Sequence, residues 1–362
     1  MIFIKDIVLS DFIVCKDADS FLQSSMWGEF KSRFGWTAKP FQIKLTDQST
    51  DTIFPLLVLC RHLAPGFSFA YVPWGPAFPK DFPNEIKPKV MAELSKKLKP
   101  FFDRNTVFIR FEPPWHCEEN EKQAFLSEDF KKSAATVQAP DTVIINLNQS
   151  IDEILSQMKP KWRYNISLAQ KKSVKVKTGD IQQMEIFYKL MEETARRDGI
   201  AIHGINYYKT LFDLCKNLNN KEKEIDIRLY TAEHEEDILA AIIVLFYKKD
   251  ATYLYGASSN LKRNLMAPYA LQWQVIQDAK EIGCKSYDLF GIPPDEDPNH
   301  PMAGLYRFKT GFGGQIVHRS GAWDYKYKPL FYSLFNTAEA LRKKLRNLKK
   351  KKPRRSRSFT EK

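Results

Sequence analysis

The segment GLYRFKTGFGG, residues 304–314, is the densest point of the stretch around which this chain is organised, Tyr253 to Trp323. It places a single lysine, Lys309, between Phe308 and Phe312 and brackets this group with glycines. Glycine lets the backbone approach a ligand closely or adopt a positive φ, and aromatic walls lower the local dielectric around a cation. The pattern indicates that the ammonium group of Lys309 interacts with another charged group. It is also typical of a solvated lysine on an edge strand followed by a glycine bulge.

Upstream of this segment the sequence predicts a meander of three strands, EIDIRLYTAEH, DILAAIIVLFYKK and ATYLYGASS, residues 224–259. A helix over Met266–Ile282 follows, closed by Gly283, and then a strand, YDLFGI. The loop PPDEDPNHP separates this strand from the lysine segment, and a further strand is expected after it. The order strand, strand, strand, helix, strand is that of a GNAT-type acyltransferase core.

The first part of the chain predicts a second α/β unit. In SMWGEFKSRFGW, residues 25–36, Trp27, Phe30 and Phe34 recur at helical spacing, and Lys31 lies beside this apolar stripe. A helix is expected over 84–103, a strand in TVFIRFEPP, a helix near 118–132 and a strand in TVIINLN. Glu112 ends the strand TVFIRFE, at the position where α/β folds display ligand groups. The pattern alone makes Lys31 an ordinary surface lysine.

Two capped helices are predicted in the middle of the chain. Ser150 and Glu153 form a capping box that opens a long helix, and Pro160 predicts a kink or a new start within it. The segment KPKWRYNISLAQKKSVKVK that follows is basic and includes Arg163, which would suit a phosphate group. Its cations could equally be solvated while Trp162 packs inward. A further helix runs from Asp180 to Gly199.

Together, these pieces resemble the Fem-type (FemABX) peptidoglycan bridge-forming aminoacyltransferases, over nearly the whole chain up to about Leu348. The resemblance implies a mixed α/β (α+β) fold with two GNAT-like acyltransferase domains in tandem, packed around a cleft. We expect residues 1–149, completed by 317–348, to form the first domain, 150–316 the second, and 349–362 a basic disordered tail. The segment between Tyr208 and Ile225 is too short for the family's coiled-coil arm, so a compact form is predicted.

The resemblance also assigns roles to single residues. The family's lysine before a glycine-aromatic pair, which acts on the transition state, matches Lys309, and Phe308 would shield the reacting atoms. Glu112 stands where the family has an acidic residue of the substrate cleft, usually Asp. The remaining matches would bind the substrate: Trp27 and Lys31 in the W-G-x-x-K context, Arg163, His203 in place of the family's arginine, Tyr207 and Tyr255. Because a neutral imidazole lacks the forked guanidinium donors, the substrate's anionic group is expected to be held differently.

The predicted function is transfer of Gly, Ala or Ser from an aminoacyl-tRNA to the side-chain amine of a muramyl-pentapeptide precursor, linked to UDP or to lipid. The sequence has neither a Ser-His-Asp pattern nor a metal-binding spacing such as HExxH, which favours direct displacement with no cofactor and no metal. One alternative is an acyl-CoA-dependent N-acyltransferase, because residues 307–313 come near its pyrophosphate loop. The other is a basic RNA- or membrane-binding protein without catalysis.

The distribution of charge bears on the partners. The net charge is +13, and eleven Lys or Arg without any Asp or Glu lie between Arg342 and Arg357, so about +2 is left for the rest. This tail predicts contact with RNA or peripheral contact with an anionic membrane through 342–357, or it is merely solvated. The five scattered cysteines suggest neither disulfides nor zinc. A monomer is expected in the cytoplasm, with the inner face of the membrane as a possible location.

Overall fold

The computed structural model describes residues 2–16, 18–47, 50–64, 66–78, 82–116, 129–219 and 224–351. Two seven-stranded mixed sheets, each covered by helices, form two α/β units in tandem. The mixed α/β class and the two-unit arrangement agree with the sequence-based prediction. Among the described helices, none is long and apolar enough to cross a membrane.

The first sheet has the strand order β1-β2-β3-β4-β5-β14-β6, and among these strands β4 and β5 pair in parallel. Its strands are β1 (Ile2–Leu9), β2 (Thr37–Asp47), β3 (Thr50–Ala64), β4 (Phe67–Pro73), β5 (Thr106–Glu112), β6 (Phe130–Lys132) and β14 (Trp323–Lys326). The helices of this unit are α1 (Ser25–Ser32) and α2 (Lys87–Leu98). The C-terminal strand β14 lies between β5 and β6, so the chain returns to this unit at its end.

The second sheet has the order β13-β7-β12-β11-β10-β9-β8, in which β11 and β12 pair in parallel. Its strands are β7 (Asp141–Asn146), β8 (Lys175–Gly179), β9 (Ile225–His234), β10 (Asp237–Tyr247), β11 (Asp250–Ser258), β12 (Ser286–Asp288) and β13 (Gln315–His318). The helices that follow α2 along the chain are α3 (Ile151–Gln157), α4 (Pro160–Lys171), α5 (Met184–Asp198), α6 (Ile205–Asn219), α7 (Ala267–Ile282), α8 (Ala303–Thr310) and α9 (Pro329–Lys351), and α9 packs on the first sheet. The predicted meander corresponds to β9, β10 and β11.

Local signals in the sequence account for several helix ends. Ser150 and Glu153 form the predicted capping box at the start of α3, and Pro160 occupies the first turn of the separate helix α4. Gly199 and Gly283 end α5 and α7 in the left-handed conformation, which carries no Cβ penalty for glycine. The capping box at Ser150, the glycine that ends α5 and the break at Pro160 are therefore confirmed. The predicted start at Asp180 differs, because Asp180 caps a short 3₁₀ turn and α5 begins only at Met184.

Three features differ from the predictions. The strand Asp141–Asn146, expected to complete the first unit, pairs instead with β12 and β13 of the second sheet, a long-range pairing that chain order does not encode. Residues 303–310 form the helix α8 and not the edge strand that the pattern around Lys309 also allowed. The helix expected near 118–132 falls mostly on residues 117–128, outside the described part of the chain, and Phe130–Lys132 is a strand.

The predicted domain limits stay a prediction. α9 continues to Lys351, and residues 352–362 of the predicted tail lie outside the described residues.

The two units share a hydrophobic cluster. Aromatic residues of α1, such as Trp27 and Phe30, pack in it together with Tyr207 and Leu211 of α6 and with residues of β9, β10 and β11. Separate clusters lie under the first sheet with α2 and under the second sheet with α4 and α7. Since apolar burial is the main driving force for association, the shared cluster fixes α1 against the second unit.

A buried ion pair ties the C-terminal strand β14 to β5. The carboxylate of Asp324, fully buried, accepts hydrogen bonds from Arg110 Nε at 2.7 Å and Nη2 at 2.8 Å, and from the Tyr332 hydroxyl at 2.9 Å. The bidentate geometry and the third donor satisfy charges that would otherwise be costly to bury. The pair therefore couples α9 and β14 to the first sheet.

We predict that Asp324→Ala lowers the free energy of unfolding by about 3–5 kcal/mol, because it leaves the Arg110 guanidinium buried without its partner. Urea denaturation of the full chain measures this. Glu29→Gln breaks the exposed Glu29–Arg33 pair (2.6 Å) and is the matched control, expected to cost less than about 1 kcal/mol. Equal losses of unfolding free energy in the two variants would show that the buried pair stabilises the fold no more than the exposed pair does.

Candidate active site at the junction of the two units

The amine of Lys309 is buried in the last turn of α8. The residue is 6% exposed, and its Nζ donates to the carbonyl oxygens of Gly291 at 2.9 Å and Phe290 at 3.2 Å. The Nζ also lies 5.1 Å from the ring centroid of Tyr253. Burial lowers the pKa of Lys309 to about 7, while the nearby Asp288 carboxylate acts in the opposite direction. The sequence alternative of a solvated lysine is wrong.

The turn that receives this amine is held by Asp288. Asp288 Oδ1 accepts the Phe290 N–H at 2.7 Å and the hydroxyl of Thr142, and Oδ2 lies 3.6 Å from Arg319 Nη2. Phe290 has φ = 60°, which is uncommon for a residue with a bulky side chain and requires support from its surroundings. Asp288 thus both fixes the carbonyl that Lys309 uses and places a negative charge near the amine.

The first unit reaches this turn through Trp74, just after β4. The Arg319 guanidinium carbon lies 4.1 Å from a ring centroid of Trp74, and Trp74 packs against Phe290 with centroids 5.9 Å apart. Trp74 itself has φ = 44°. Sequence reasoning did not select Asp288, Arg319 or Trp74. The signal available for Asp288 was its place at the end of a strand just before a Gly-Ile-Pro-Pro turn.

Phe308 and the glycines serve packing around α8. The Phe308 ring makes edge-to-face contacts with Tyr269 and Phe312, each with centroids 5.2 Å apart, and its carbonyl accepts the Trp162 Nε1–H at 2.9 Å. A Cβ on Gly311 would lie 2.1 Å from the Trp162 ring, so only glycine fits there. This glycine therefore admits a tryptophan ring and not a ligand.

Lys31, which the sequence predicted to bind the substrate, lies in a second part of the junction of the two units, inside a cage of aromatic rings. Its Nζ is within 5.5–5.6 Å of the ring centroids of Trp27, Trp36 and Tyr207, and 3.5 Å from the Tyr207 hydroxyl. Burial, and to a smaller extent the charge of Arg61, lowers the pKa of Lys31 to about 8. Trp36 was not selected from the sequence, although it ends the quoted SMWGEFKSRFGW segment.

Three further predicted residues complete this cage. The imidazole of His203 stacks on Tyr207 with centroids 3.8 Å apart and planes inclined by 12°. Burial and the neighbouring Lys31 charge lower the pKa of His203, which favours its neutral form. Tyr255 hydrogen-bonds Tyr207, and burial raises the pKa of Tyr255 well above its usual range. The structure therefore brings together Trp27, Lys31, His203, Tyr207 and Tyr255, and their substrate-binding roles stay predictions.

The strand β11 connects the cage to the buried Lys309. Tyr255 lies in the cage, and Tyr253, two residues earlier, lies beside the Lys309 amine. A β-bulge falls between these two residues, where the pairing with β10 shifts register at Ile243 and Val244. Bulges re-aim side chains, so a single strand can supply aromatic rings to two neighbouring groups.

Glu112 is engaged with its own unit. Its carboxylate accepts hydrogen bonds from the Tyr71 hydroxyl and from the N–H groups of Val137 (2.5 Å) and Gln138 (3.0 Å). Burial raises the pKa of Glu112, and these hydrogen bonds oppose that shift. The carboxylate anchors residues 137–138 to the end of β5, and its predicted catalytic role stays a prediction.

Arg163 caps a helix. Its Nη1 donates to the carbonyls of Ser156 (2.9 Å) and Met158 (2.6 Å) at the end of α3. The Lys159 N–H, at the start of α4, donates to the Gly311 carbonyl at 2.9 Å, so the α3–α4 break is docked against the end of α8. Arg163 thus supports the helix break near the candidate site, and its contact with substrate stays a prediction.

Other features of the described residues lie apart from this site. An open surface cavity of about 520 Å³ is lined mainly by charged residues between α4 and β9, among them Lys172, Lys177 and Glu235. No group of three or more His, Cys, Asp or Glu side chains that could hold a metal was found within the described ranges.

The near-match to an acyl-CoA pyrophosphate loop, residues 307–313, starts in the last turn of α8 and precedes β13, whereas such a loop precedes a helix.

Known proteins resemble this chain along most of its length. A lipid II:glycine glycyltransferase of Staphylococcus aureus (strain COL) is 22% identical over 382 aligned positions, covering 86% of this chain and 89% of that protein. One from Staphylococcus epidermidis (strain ATCC 35984) is 22% identical over 383 positions with the same coverage. The crystal structure of FemX has a TM-score of 0.75 and 18% identity, and covers 91% of this chain and 100% of that chain.

These findings confirm the predicted mixed α/β fold with two units in tandem and the prediction of an aminoacyltransferase. The model of the FemAB family matches residues 8–220 and 214–340, well over half of the sequence. The chain therefore belongs to the FemAB family.

Proposed function

We propose that this protein transfers an amino acid from an aminoacyl-tRNA to the side-chain amine of a peptidoglycan stem-peptide precursor and so builds the interpeptide bridge. The observation that carries the proposal is the buried Lys309 amine at the junction of two acyltransferase-like units. The glycyltransferase relatives act on lipid II by name, which supports a muramyl-peptide acceptor. The names of these relatives also support glycine as the amino acid that is transferred.

Lys309 would act on the charge that develops during transfer. In the reaction the neutral acceptor amine attacks the ester carbonyl, a C–N bond forms, and the ester C–O bond breaks. One proton of the amine ends on the released ribose oxygen, which leaves as a hydroxyl. An ammonium has three N–H donors, and the Gly291 and Phe290 carbonyls use two among the described contacts of Lys309, which leaves one for the oxyanion or the leaving oxygen. A fixed cation in a water-poor site stabilises such charge strongly.

The aromatic cage around Lys31 would bind the acceptor. A lysine held between rings offers a cation to an anionic group, and the Tyr207 and Tyr255 hydroxyls add hydrogen-bonding groups beside it. Burial and the Lys31 charge lower the pKa of His203, so Lys31 is the group of this cage that would meet a diphosphate of the precursor. Phe308 would shield the reacting atoms, and neither a cofactor nor a metal is part of the proposal.

The direct test is mass spectrometry of a muramyl-pentapeptide after incubation with the full chain and a mixture of charged tRNAs. Parallel reactions contain UDP-linked and lipid-linked acceptors with lysine, ornithine or diaminopimelate. A mass increase of one amino-acid residue names the donor and acceptor together. If no acceptor gains mass while a matched FemX control is active under the same conditions, the proposed function is wrong.

We predict that Lys309→Met lowers the transfer rate by about two to three orders of magnitude, because the developing charge loses its fixed cation. Single-turnover transfer from charged tRNA measures the loss. Lys280→Met is the matched control, since Lys280 also donates to a backbone carbonyl (Leu147, 3.0 Å) but lies elsewhere. Turnover at the wild-type rate in Lys309→Met, with an unchanged unfolding transition, would refute the catalytic role.

The pH dependence of the transfer rate follows from the titration of two amines, that of the acceptor and that of Lys309. The acceptor amine must be neutral and has an ordinary pKa of about 10.4, so the rate rises tenfold per pH unit below that value. Lys309 must be charged, and its pKa is about 7. Log kcat/KM for the acceptor should therefore rise with unit slope up to pH about 7 and then level off, after correction for ester hydrolysis.

In Lys309→Met the unit slope should continue above pH 7, since the second titration is gone. A slope of two below pH 7 in the wild type would mean that neutral Lys309 acts as a base, and would contradict the proposed role of its charge.

We predict that Lys31→Ala raises the KM for the acceptor about tenfold or more and changes kcat less, because the cage contacts a part of the substrate remote from the reaction. Steady-state kinetics with a varied acceptor concentration measure both constants. Arg33→Ala removes a positive charge two residues away on an exposed side chain and serves as the control. An unchanged KM in Lys31→Ala would exclude the cage as the acceptor site.

A further inference from the structure

The C-terminal helix α9 has a face that is packed against the first unit. Tyr332 is 2% exposed, and its ring lies edge-to-face on Phe108 with centroids 5.3 Å apart. Phe335 also contacts Phe108, at 5.2 Å. The Tyr332 hydroxyl donates to Asp324, so this face is fixed by apolar contact and by a hydrogen bond to the buried ion pair.

Another face of α9 presents leucines to the outside. Leu330, Leu334 and Leu341 are 81%, 67% and 56% exposed. Their spacings of four and seven residues place them in one stripe along the helix. Single exposed leucines are ordinary, but an aligned row of them on a helix whose packing face lies elsewhere marks an interaction surface. In the sequence, leucine recurs at 345 and 348 with the same periodicity.

The sequence that follows this leucine stripe, from Arg342 onward, is strongly basic. Glu339 is the single acidic residue between Pro329 and Lys351, and it is bonded to Arg342 at 2.9 Å. Between Arg342 and Arg357 the sequence has eleven Lys or Arg and no Asp or Glu. An apolar stripe on a helix rich in cations is the pattern of helices that lie in the interface of anionic membranes, with the leucines in the acyl boundary and the cations at the headgroups.

We propose that the leucine stripe of α9 (Leu330, Leu334 and Leu341) docks this protein on an anionic lipid surface. Charge complementarity favours this occupant over a second copy, which would bring the same dense positive charge against itself. The phosphates of a nucleic acid would attract the cations, but they offer no apolar surface against which an aliphatic stripe could be buried. Docking would hold the junction of the two units near a lipid-linked acceptor, a consequence that rests on the proposed function, whereas the docking itself does not.

The test is flotation of the full chain with vesicles of phosphatidylcholine alone and with about 30% phosphatidylglycerol. Wild-type protein should float with the anionic vesicles only, and added salt should weaken the binding because it screens the headgroup charge. The triple variant Leu330→Gln, Leu334→Gln, Leu341→Gln should bind at least about tenfold more weakly. All three side chains are exposed, and an unchanged thermal unfolding transition verifies that the variant folds.

The matched control replaces three comparably exposed residues outside α9: Ile13→Gln, Ile53→Gln and Leu261→Gln, with wild-type exposures of 74%, 55% and 59%. It should bind vesicles as the wild type does. Equal binding by the leucine variant and the wild type would overturn the proposal, as would equal binding to neutral vesicles. Self-association or RNA binding that is lost in the leucine variant, with no vesicle binding by the wild type, would assign the stripe to another partner.

Vesicle binding requires no charged tRNA, so its failure would leave the transfer reaction untouched. Conversely, the leucine variant should retain wild-type transfer to a UDP-linked acceptor in solution.

Discussion

The amine of Lys309 is buried and donates hydrogen bonds to two backbone carbonyls, and much of the junction of the two units is arranged around this contact. The carbonyls belong to Phe290 and Gly291, whose turn is fixed by Asp288. Burial disfavours the charged amine, whereas the carbonyl dipoles and the Asp288 carboxylate favour it. The balance leaves Lys309 close to half protonated near neutral pH, where an approaching anion can draw it into the charged form.

This contact depends on both halves of the chain. α8, β12 and the turn after it belong to the second unit, while Trp74 follows β4 of the first and packs on Phe290. The same division holds in the aromatic cage, where Lys31 comes from α1 and Tyr207 from α6. Because each half supplies groups to both places, the relative position of the units is part of the chemistry. The shared hydrophobic cluster fixes that position.

Much of this arrangement could be predicted from local signals. The meander, the capped helices and the break at Pro160 follow from periodicity and capping, and family motifs located Lys309, Lys31 and Tyr207. What could not be predicted depends on contacts distant in sequence. The strand β7 joins the second sheet by pairing with β12 and β13, about 140 to 177 residues away. Likewise, Asp288 gains its importance from a turn conformation that no residue spacing reveals.

Because Lys309 is buried, its pKa lies below the ordinary lysine value, and substrate charge nearby should draw the amine into its charged form. Heteronuclear NMR of lysine labelled with ¹³C at Cε, with the Lys309 signal assigned by its loss in Lys309→Arg, measures this directly. The titration midpoint of Lys309 should lie near pH 7 in the free protein and move upward when an anionic analogue of the tetrahedral intermediate binds. A midpoint near the ordinary lysine value of about 10.4, unchanged by the analogue, would contradict it.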